Sequence, residues 1–467
     1  MTGSDVKETK IKKKSNMIDF TKGSAVKTIM MFYWPLLLTN MLQQLYNFAD
    51  TLIVGKGLGD HALAAVGNMG SLFFLIVGFS MGISNGFGII IAQRFGAKKY
   101  EDLKRNIAGT IELALLIACI LTAVSVVFLP DALRLLRTDE IIMKDSLKYG
   151  YIVFGGLICS ITYNVSACIL RSLGDSRTPL KAIIISSVIN LMLDSLLIFV
   201  LHTGVEGAAI ATVFSQIVSA IVCISKLVTI DYIKLERKHF INEKSVYLTL
   251  MKNGVPMAFM NSITAVGCMV VQYFVNGFGV DYTSAYSACS KYINLFMNPA
   301  GTAGNAMSAY TSQNYGAGKY DRINKGLKVC LTIAIASYVV LGSIMFFLPT
   351  QLAQILLEGE KPISLAGQYL PVCGLMLVNV DCLFVFRSGV QGMGKPLMPM
   401  LSGILEMIMR VLVIALFMNR MGFRAAAYAE AGAWIGALLI NMIAFYKILL
   451  PELKCEAKRK CKLQPLR

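Results

Sequence analysis

Long apolar runs, separated by short polar or Pro/Gly-containing breaks, make up most of the chain. A membrane-crossing helix needs about 20 consecutive apolar residues, and we identify twelve runs of at least that length. The pattern therefore predicts an all-α membrane protein with twelve transmembrane helices. The predicted spans are 28–53, 62–92, 106–129, 147–170, 180–201, 207–230, 253–275, 285–312, 326–348, 364–390, 398–418 and 424–450.

The order of the runs repeats within the chain. The segment QRFGAKKY at Gln93–Tyr100 returns as QNYGAGKY at Gln313–Tyr320, and RSLGDSRTPL at 171–180 aligns with QGMGKPLMPM at 391–400 in the same register. A repeat on this scale predicts the architecture before any single residue is interpreted. Six spans return the chain to its starting side, so we expect two parallel six-helix lobes related by a pseudo-twofold axis along the membrane normal. That arrangement is typical of transporters.

Breaks in the pattern set the expected domain boundaries. We predict a polar N-terminal arm at 1–27, a first half at 28–230, a basic linker at 231–252, a second half at 253–450 and a C-terminal tail at 451–467. No cleavable signal peptide is evident, because the chain begins with a lysine-rich arm and its first apolar run lacks a small-residue cleavage site.

Composition and charge agree with a membrane protein. The chain is 56% hydrophobic and has a mean hydropathy of +0.63. Its net charge of +17 could suggest a nucleic-acid partner, but most of the 44 Lys and Arg residues lie in the arm, linker, tail and loops of one side. This is the positive-inside pattern. We therefore expect a multi-pass protein of the inner (plasma) membrane with both termini cytoplasmic, attracted to anionic lipid, and no nucleic-acid partner.

The reactive residue types do not form enzyme motifs. The 11 Cys residues lack CxxC spacing, the three His residues form no HExxH pair, and no Gly-rich phosphate loop is present. These patterns argue against a transition-metal site and an ATP site. We expect a protein that is not an enzyme, has no cofactor, and is energised by an ion gradient.

Several ionisable and polar residues fall inside the predicted spans. A charged group at a helix centre costs at least about 2.5–3.5 kcal/mol, so it needs a partner, water or a function. Counting along the helices places Asp194 and Thr212 at one depth, with Asn190 one turn below Asp194 and Asp50 near the outer end of span one. Oxygen ligands at one level suit a shared proton or Na⁺. The alternative is that these groups only hydrogen-bond neighbouring helices.

Span one adds polar positions at helical spacing, namely Asn40, Gln43, Gln44 and Asn47. Such a face is expected to line a watery cavity rather than lipid. Pro35 in span one and Pro256 in span seven each remove a backbone hydrogen bond and permit a kink. Kinking could transmit protonation of Asp50, although prolines are also common in membrane spans.

The second half differs at the equivalent positions. Where the first half has Asn190, Asp194 and Thr212, the second half has Arg410, Ile414 and Glu430. Glu406 lies one turn below Arg410, and Lys291 enters at a comparable depth from span eight. We expect these four charged residues to form a balanced network within the second half, because paired charges cost less than lone ones.

Taken together, these segments resemble the multidrug and toxic compound extrusion (MATE) family, and its DinF-like bacterial branch in particular. The resemblance rests on PLLLTNMLQQLYNFADTLIVG at Pro35–Gly55, ALAAVG at Ala62–Gly67, the doubled QxxGAxKY, RSLGDSRTP at 171–179 and NLMLD at 190–194. It implies two lobes forming a V around a central cleft, and cation-coupled efflux of amphipathic, often cationic compounds. It also implies a first-lobe cation site at Asp50, Asn190, Asp194 and Thr212.

The chain departs from the other main bacterial MATE branch. That branch places a glutamate in the seventh span, eight residues after the proline, where this sequence has Thr264. Asp381, in span ten, lies near the position of that branch's acid.

We therefore predict a monomeric antiporter that exports organic cationic compounds in exchange for H⁺ or Na⁺. The runner-up is a flippase for lipid-linked saccharide, a class that usually has extra spans and a more cationic cleft. A channel or structural membrane protein is a third class, but it gives no reason for a repeat with lone acids in one half.

Overall fold

The computed structural model describes residues 17–135, 138–241 and 243–463, which fold into α-helices joined by short turns, with no strand among them. The helices are α1 Ala25–Leu58, α2 Asp60–Gly96, α3 Tyr100–Val127, α4 Leu129–Leu135, α5 Glu140–Gly155, α6 Leu157–Ser172, α7 Arg177–Ser195, α8 Val205–Val228, α9 Lys244–Asn276, α10 Val280–Gly316, α11 Tyr320–Phe347, α12 Pro349–Leu356, α13 Glu360–Gly392, α14 Leu397–Met421 and α15 Arg424–Leu463.

Within these ranges, 10 helices are long and apolar enough to cross a membrane, and α5 with α6 forms an eleventh, bent span. The predicted eighth span corresponds to α10, which has 37 residues but a more polar composition. Several polar side chains near its end, including Thr311, Gln313 and Asn314, are fully buried. Because extensive contact with α13 covers one side of α10, this helix does not need an apolar surface all round.

The fourth predicted span, 147–170, is not one straight helix. It breaks at Gly156, where α5 and α6 meet at 44°. Two consecutive glycines, Gly155 and Gly156, weaken the helix at this point. A Cβ at Gly156 would lie 2.4 Å from Val213 Cγ2, so glycine also permits close contact with α8.

The helices form two compact units. The first unit contains 17–23, Met30–Val77 and Arg94–Leu250, and the second unit contains Ser24–Ile29, Gly78–Gln93 and 251–463. The segment Gly78–Gln93 belongs to the second unit because its glycines pack directly on the backbone of α9. Cβ atoms at Gly82 and Gly86 would lie 2.6 Å and 2.5 Å from the Cα atoms of Ala258 and Gly254.

The basic linker packs on the first unit as far as Leu250. It contains two short 3₁₀ turns, Asp231–Ile233 and Arg237–His239. Tyr232 stacks on Phe95 with ring centroids 5.8 Å apart. His239 is 1% exposed, and its Nε2 lies 3.1 Å from Glu101 Oε2. The linker is therefore a folded part of the first unit.

The apolar core of the first unit surrounds one end of its helices. Met69, Phe154, Leu157 and Ile198 are each no more than 1% exposed and belong to one cluster. That cluster also includes Val54 of α1, one turn beyond Asp50. Close packing of this kind limits side-chain movement. The core therefore fixes the positions of α1, α5 and α8 relative to one another, beside Asp50 and Thr212.

Candidate cation site

Two of the predicted site residues lie on α7. Asn190 and Asp194 are both 0% exposed, and their spacing places them on one helix face. A π-helical turn, Leu196–Val200, follows directly, closed by a hydrogen bond from Leu201 N to Leu196 O of 3.0 Å. Such π turns are rare and often occur at functional sites.

Asp50 of α1 approaches this pair from a second helix. Its carboxyl group lies close enough to that of Asp194 for the two to interact electrostatically, although no hydrogen bond joins them. Thr212 of α8 lies near Tyr46 and Tyr149, and both tyrosines interact electrostatically with the two carboxyls. The structure therefore brings Asp50, Asp194 and Thr212 together, with Asn190 one turn away.

The polar atoms of this cluster are buried without hydrogen-bond partners. Among the described residues, Asp50 Oδ1, both amide atoms of Asn190 and both carboxylate oxygens of Asp194 have none. An unpaired buried polar group is costly, and an unpaired buried charge costs more. Two adjacent carboxylates also repel unless one is protonated or a cation lies between them. The residues therefore fit a shared proton, or a small cation such as Na⁺ that prefers oxygen ligands.

Within 17–135, 138–241 and 243–463, no group of three or more His, Cys, Asp and Glu residues is arranged to hold a metal ion. The described acidic cluster has two carboxylates, supplemented by amide and hydroxyl groups.

Tyr46 and Tyr149 are additional residues of the cluster, and neither is predicted from the sequence. Tyr46 stands one turn before Asp50, so the i, i+4 spacing on α1 was an available signal. Tyr149 lies on α5, and no local pattern connects it with α1, α7 or α8. Only the packing of the helices places its hydroxyl near Thr212.

The other span-one residues occupy more open positions. Gln43, Gln44 and Asn47 are exposed and Asn40 is half-buried, so their role in lining a watery cavity stays a prediction. Helices α1 and α9 continue through Pro35 and Pro256 respectively. A functional kink at either proline also stays a prediction.

Charged residues meet in the interior of the second unit. Arg410 Nε and Nη2 lie 3.0 Å and 2.9 Å from Glu430 Oε2. Glu406 accepts a hydrogen bond from Arg387, and its Oε2 lies 3.7 Å from Arg410 Nη2. All four side chains are at most 7% exposed. Two cations and two anions therefore balance each other in a low-dielectric interior.

Lys291 does not join this network. Its side chain is exposed, and no salt bridge to it is present among the described residues, whereas Arg387 of α13 contacts Glu406. The expectation for Lys291 came from its depth along α10. Depth does not specify the direction in which a residue faces around the helix axis, and Lys291 faces outward.

Asp381 is a separate buried acid of the second unit. It is 0% exposed, and neither of its carboxylate oxygens has a hydrogen-bond partner among the described residues. Thr264 is half-buried, and its hydroxyl donates to Met260 O at 3.0 Å. The hydroxyl of Thr264 therefore has its hydrogen-bond partner within its own helix.

The MatE family model matches residues 35–196 and again 256–416. The chain belongs to the MatE family. The two matches begin at Pro35 and Pro256, which supports the internal repeat. Members of this family are transporters rather than enzymes and need no cofactor.

Known relatives and solved structures agree with this assignment. The chain is 30% identical over 360 residues to the probable multidrug resistance protein YoeA of Bacillus subtilis (strain 168), covering 75% of this chain and 78% of YoeA. It is 27% identical over 417 residues to the probable multidrug resistance protein YpnP of the same organism, covering 86% and 91%. A crystal structure of MATE in the bent conformation superimposes with a TM-score of 0.89 at 20% identity, covering 95% of this chain and 99% of that chain.

These similarities confirm the predicted resemblance to the MATE family and the predicted fold class. The protein is a multi-pass MATE multidrug efflux transporter with the two-lobe, twelve-helix fold of that family. The first-unit cluster and the second-unit network are therefore two charged sites inside a transporter.

Proposed function

We propose that this MATE transporter is a secondary antiporter that exports amphipathic, cationic organic compounds in exchange for H⁺ or Na⁺. The ion binds at Asp50, Asn190, Asp194 and Thr212 of the first unit. One observation supports this site above the others: two carboxyl groups from different helices lie side by side in the interior with unpartnered oxygens.

Binding and release of the ion change the charge of this cluster. With a proton or Na⁺ bound, the Asp50 and Asp194 carboxyls are held together, and α1 is tied to α7. Without it, the two carboxylates repel and require water or another cation. Binding of the coupling ion therefore favours one arrangement of α1, and antiport requires that the cationic substrate favour the other.

Proteoliposomes test the proposal directly. Purified protein is reconstituted, and exchange of a cationic dye is measured with a pH gradient and a Na⁺ gradient imposed separately. We expect one gradient to drive exchange by the wild type and neither to drive exchange by Asp194→Asn. The matched control is Asp231→Asn, whose side chain is 88% exposed and whose transport should equal that of the wild type. Gradient-driven exchange by Asp194→Asn at the wild-type rate would place the ion site elsewhere.

We also propose a plasma-membrane orientation with both termini cytoplasmic, monomeric function, and functional halves at 28–230 and 253–450. A cysteine-free variant carrying one new cysteine tests the orientation. Cysteine at Val280, which is 82% exposed, should react with an impermeant maleimide added to intact cells. Cysteine at Lys238, with a side chain 63% exposed, should react only after the membrane is opened. The reverse labelling pattern would invert the orientation.

The flippase alternative is not favoured. YoeA and YpnP are named as probable multidrug resistance proteins, and the first-unit cluster is acidic rather than cationic. In the same proteoliposomes, we expect no translocation of a lipid-linked saccharide.

A further inference from the structure

The two halves of the chain can be compared residue by residue near their buried charges. The family model matches the chain from Pro35 to 196 and from Pro256 to 416. In addition, Gly204 (φ 70°) precedes α8 of the first unit, and Gly422 (φ 58°) precedes α15 of the second unit. Thr212 and Glu430 stand equally far beyond these glycines, which pairs them independently of the family model.

This register defines the second-unit counterpart of the first-unit cluster. Asn190, Tyr149 and Tyr46 correspond to Arg410, Tyr369 and Gly267. The surroundings of the two equivalent tyrosines also correspond. Tyr149 lies near Thr212, and Tyr369 interacts electrostatically with Glu430, the counterpart of Thr212. The Arg410–Glu430 pair therefore lies where the first unit has its Asn190–Thr212 cluster.

The guanidinium of Arg410 is held like a bound cation. It is 2% exposed, and two of its nitrogens lie 3.0 Å and 2.9 Å from Glu430 Oε2. Glu406 adds a second carboxylate at 3.7 Å from Nη2. Two carboxylates from α14 and α15 thus face the guanidinium of Arg410 in the interior of the unit, and Glu406 also accepts a hydrogen bond from Arg387.

The register also explains where the guanidinium finds space. A Cβ at Gly267 would lie 3.2 Å from Arg410 Nη1 and 3.5 Å from Met407 Cα. The first unit has Tyr46 at the equivalent position, and a ring there could not coexist with the guanidinium. Glycine on α9 and arginine on α14 are therefore complementary.

We propose that the second unit contains a cation site equivalent to the first-unit cluster, and that the guanidinium of Arg410 permanently fills it. Glu430 and Glu406 are its anionic ligands, and a guanidinium-type organic monocation is the ligand class that it accepts. Because this cation is covalently tethered, the second-unit site cannot exchange ions during transport. The inference does not depend on which ion the first unit couples.

Chemical rescue tests whether this network is a cation site or only a set of paired charges. Arg410→Ala removes the tethered cation and leaves the two glutamates beside a guanidinium-sized space. We expect a lower unfolding temperature in detergent, followed by a saturable rise of several degrees when millimolar guanidinium chloride is added, because a ligand that binds only the folded state stabilises it. The wild type should show no rise, since guanidinium is otherwise a denaturant.

Controls separate specific binding from ionic strength and from general effects of losing an arginine. Sodium chloride and tetramethylammonium chloride at equal concentration should not rescue Arg410→Ala, because neither cation has the planar donor fork that matches carboxylates. Arg420→Ala changes an exposed arginine of the same helix and should respond as the wild type does. Arg410→Ala/Glu430→Gln should lose the guanidinium response.

If Arg410→Ala is too unstable to purify alone, the readout becomes the yield of monodisperse protein with and without guanidinium in every buffer. Recovery by guanidinium alone supports the proposal. No recovery, or equal recovery by tetramethylammonium, overturns it.

Discussion

Equivalent positions in the two units differ in whether a buried ionisable group has an oppositely charged partner. In the first unit, Asp50 and Asp194 lie together with oxygens that have no hydrogen-bond partner among the described residues. In the second unit, Arg410 and Glu430 form a direct ion pair, and the position equivalent to Asp194 is the fully buried Ile414. Asp50 and Asp194 have no salt bridge among the described residues, whereas the second-unit cluster contains its own counter-charge; under the proposed function, a mobile ion balances the first cluster.

Under the proposed function, the repeated fold separates ion coupling in the first unit from structural support in the second unit. When an ion binds to or leaves two adjacent carboxyls that have no basic partner, their net charge changes. The environment that they prefer changes with it, so such a pair can drive a conformational change. A closed set of two arginines and two glutamates is charge-balanced without an added ion. The π-helical turn Leu196–Val200 follows the acidic cluster, while the corresponding part of α14 is regular α-helix.

The largest expected effect is loss of coupling in the first unit. Asp50→Asn and Asp194→Asn should each reduce ion-driven efflux to background, because a neutral isostere removes the ion ligand without creating a cavity. The double variant should be no worse than either single variant, since both acids serve one ion. Dye efflux from cells at matched expression measures this. A double variant that loses activity in two separable steps would mean that the acids act independently.

The next effect is on stability and concerns the second unit. Arg410→Met or Glu430→Gln alone leaves an unpaired buried charge, which can cost about 3–5 kcal/mol. The double variant should recover much of that loss and should keep ion-driven transport. Thermal unfolding in detergent and transport in proteoliposomes provide the two readouts. A stable double variant without coupling would show that the second unit also takes part in ion coupling, so that coupling would not be confined to the first unit.

A smaller effect is expected where span four bends. Gly156→Ala places a Cβ against Val213, beside Thr212, and overpacking of this kind costs about 1–3 kcal/mol. Because the strain lies at the ion cluster, the ion concentration for half-maximal transport should rise. Gly155→Ala is the matched control, since a Cβ there meets nothing within 4 Å. Equal effects of both substitutions would indicate a general need for glycine at the bend rather than close contact with α8.

The smallest effect compares two equivalent tyrosines. Tyr149→Phe removes a hydroxyl that lies near Thr212, and loss of one polar interaction of hydrogen-bond strength costs about 0.5–1.5 kcal/mol. We expect it to weaken apparent ion affinity, while Tyr369→Phe changes only the unfolding temperature. Transport measured over a series of ion concentrations distinguishes the two variants. A shift in ion affinity caused by Tyr369→Phe would extend ion coupling to the second unit.

Much of the architecture was readable from local sequence. Apolar length predicts helices because the bilayer leaves few other ways to satisfy the backbone. The repeated segments predicted two similar halves, and the family model matches both. Depth counted along a helix placed Asp50 and Asp194 at one level, since rise per residue is nearly constant. Span length, the repeat and depth along a helix can each be counted along the chain without knowing which helices pack together. The sequence by itself therefore determined them.

Tertiary structure decided which side chains meet. Lys291 and Arg387 were both charges inside spans, but only Arg387 faces Glu406, because the rotation of a helix about its axis is set by packing against its neighbours. The bend at Gly156 and the position of Tyr149 also depend on contact with α8. Contacts between helices far apart in sequence determine these features, and no local pattern records them. The chain alone therefore predicted two halves with different charges, and only helix packing showed that one charge set is closed on itself and the other is not.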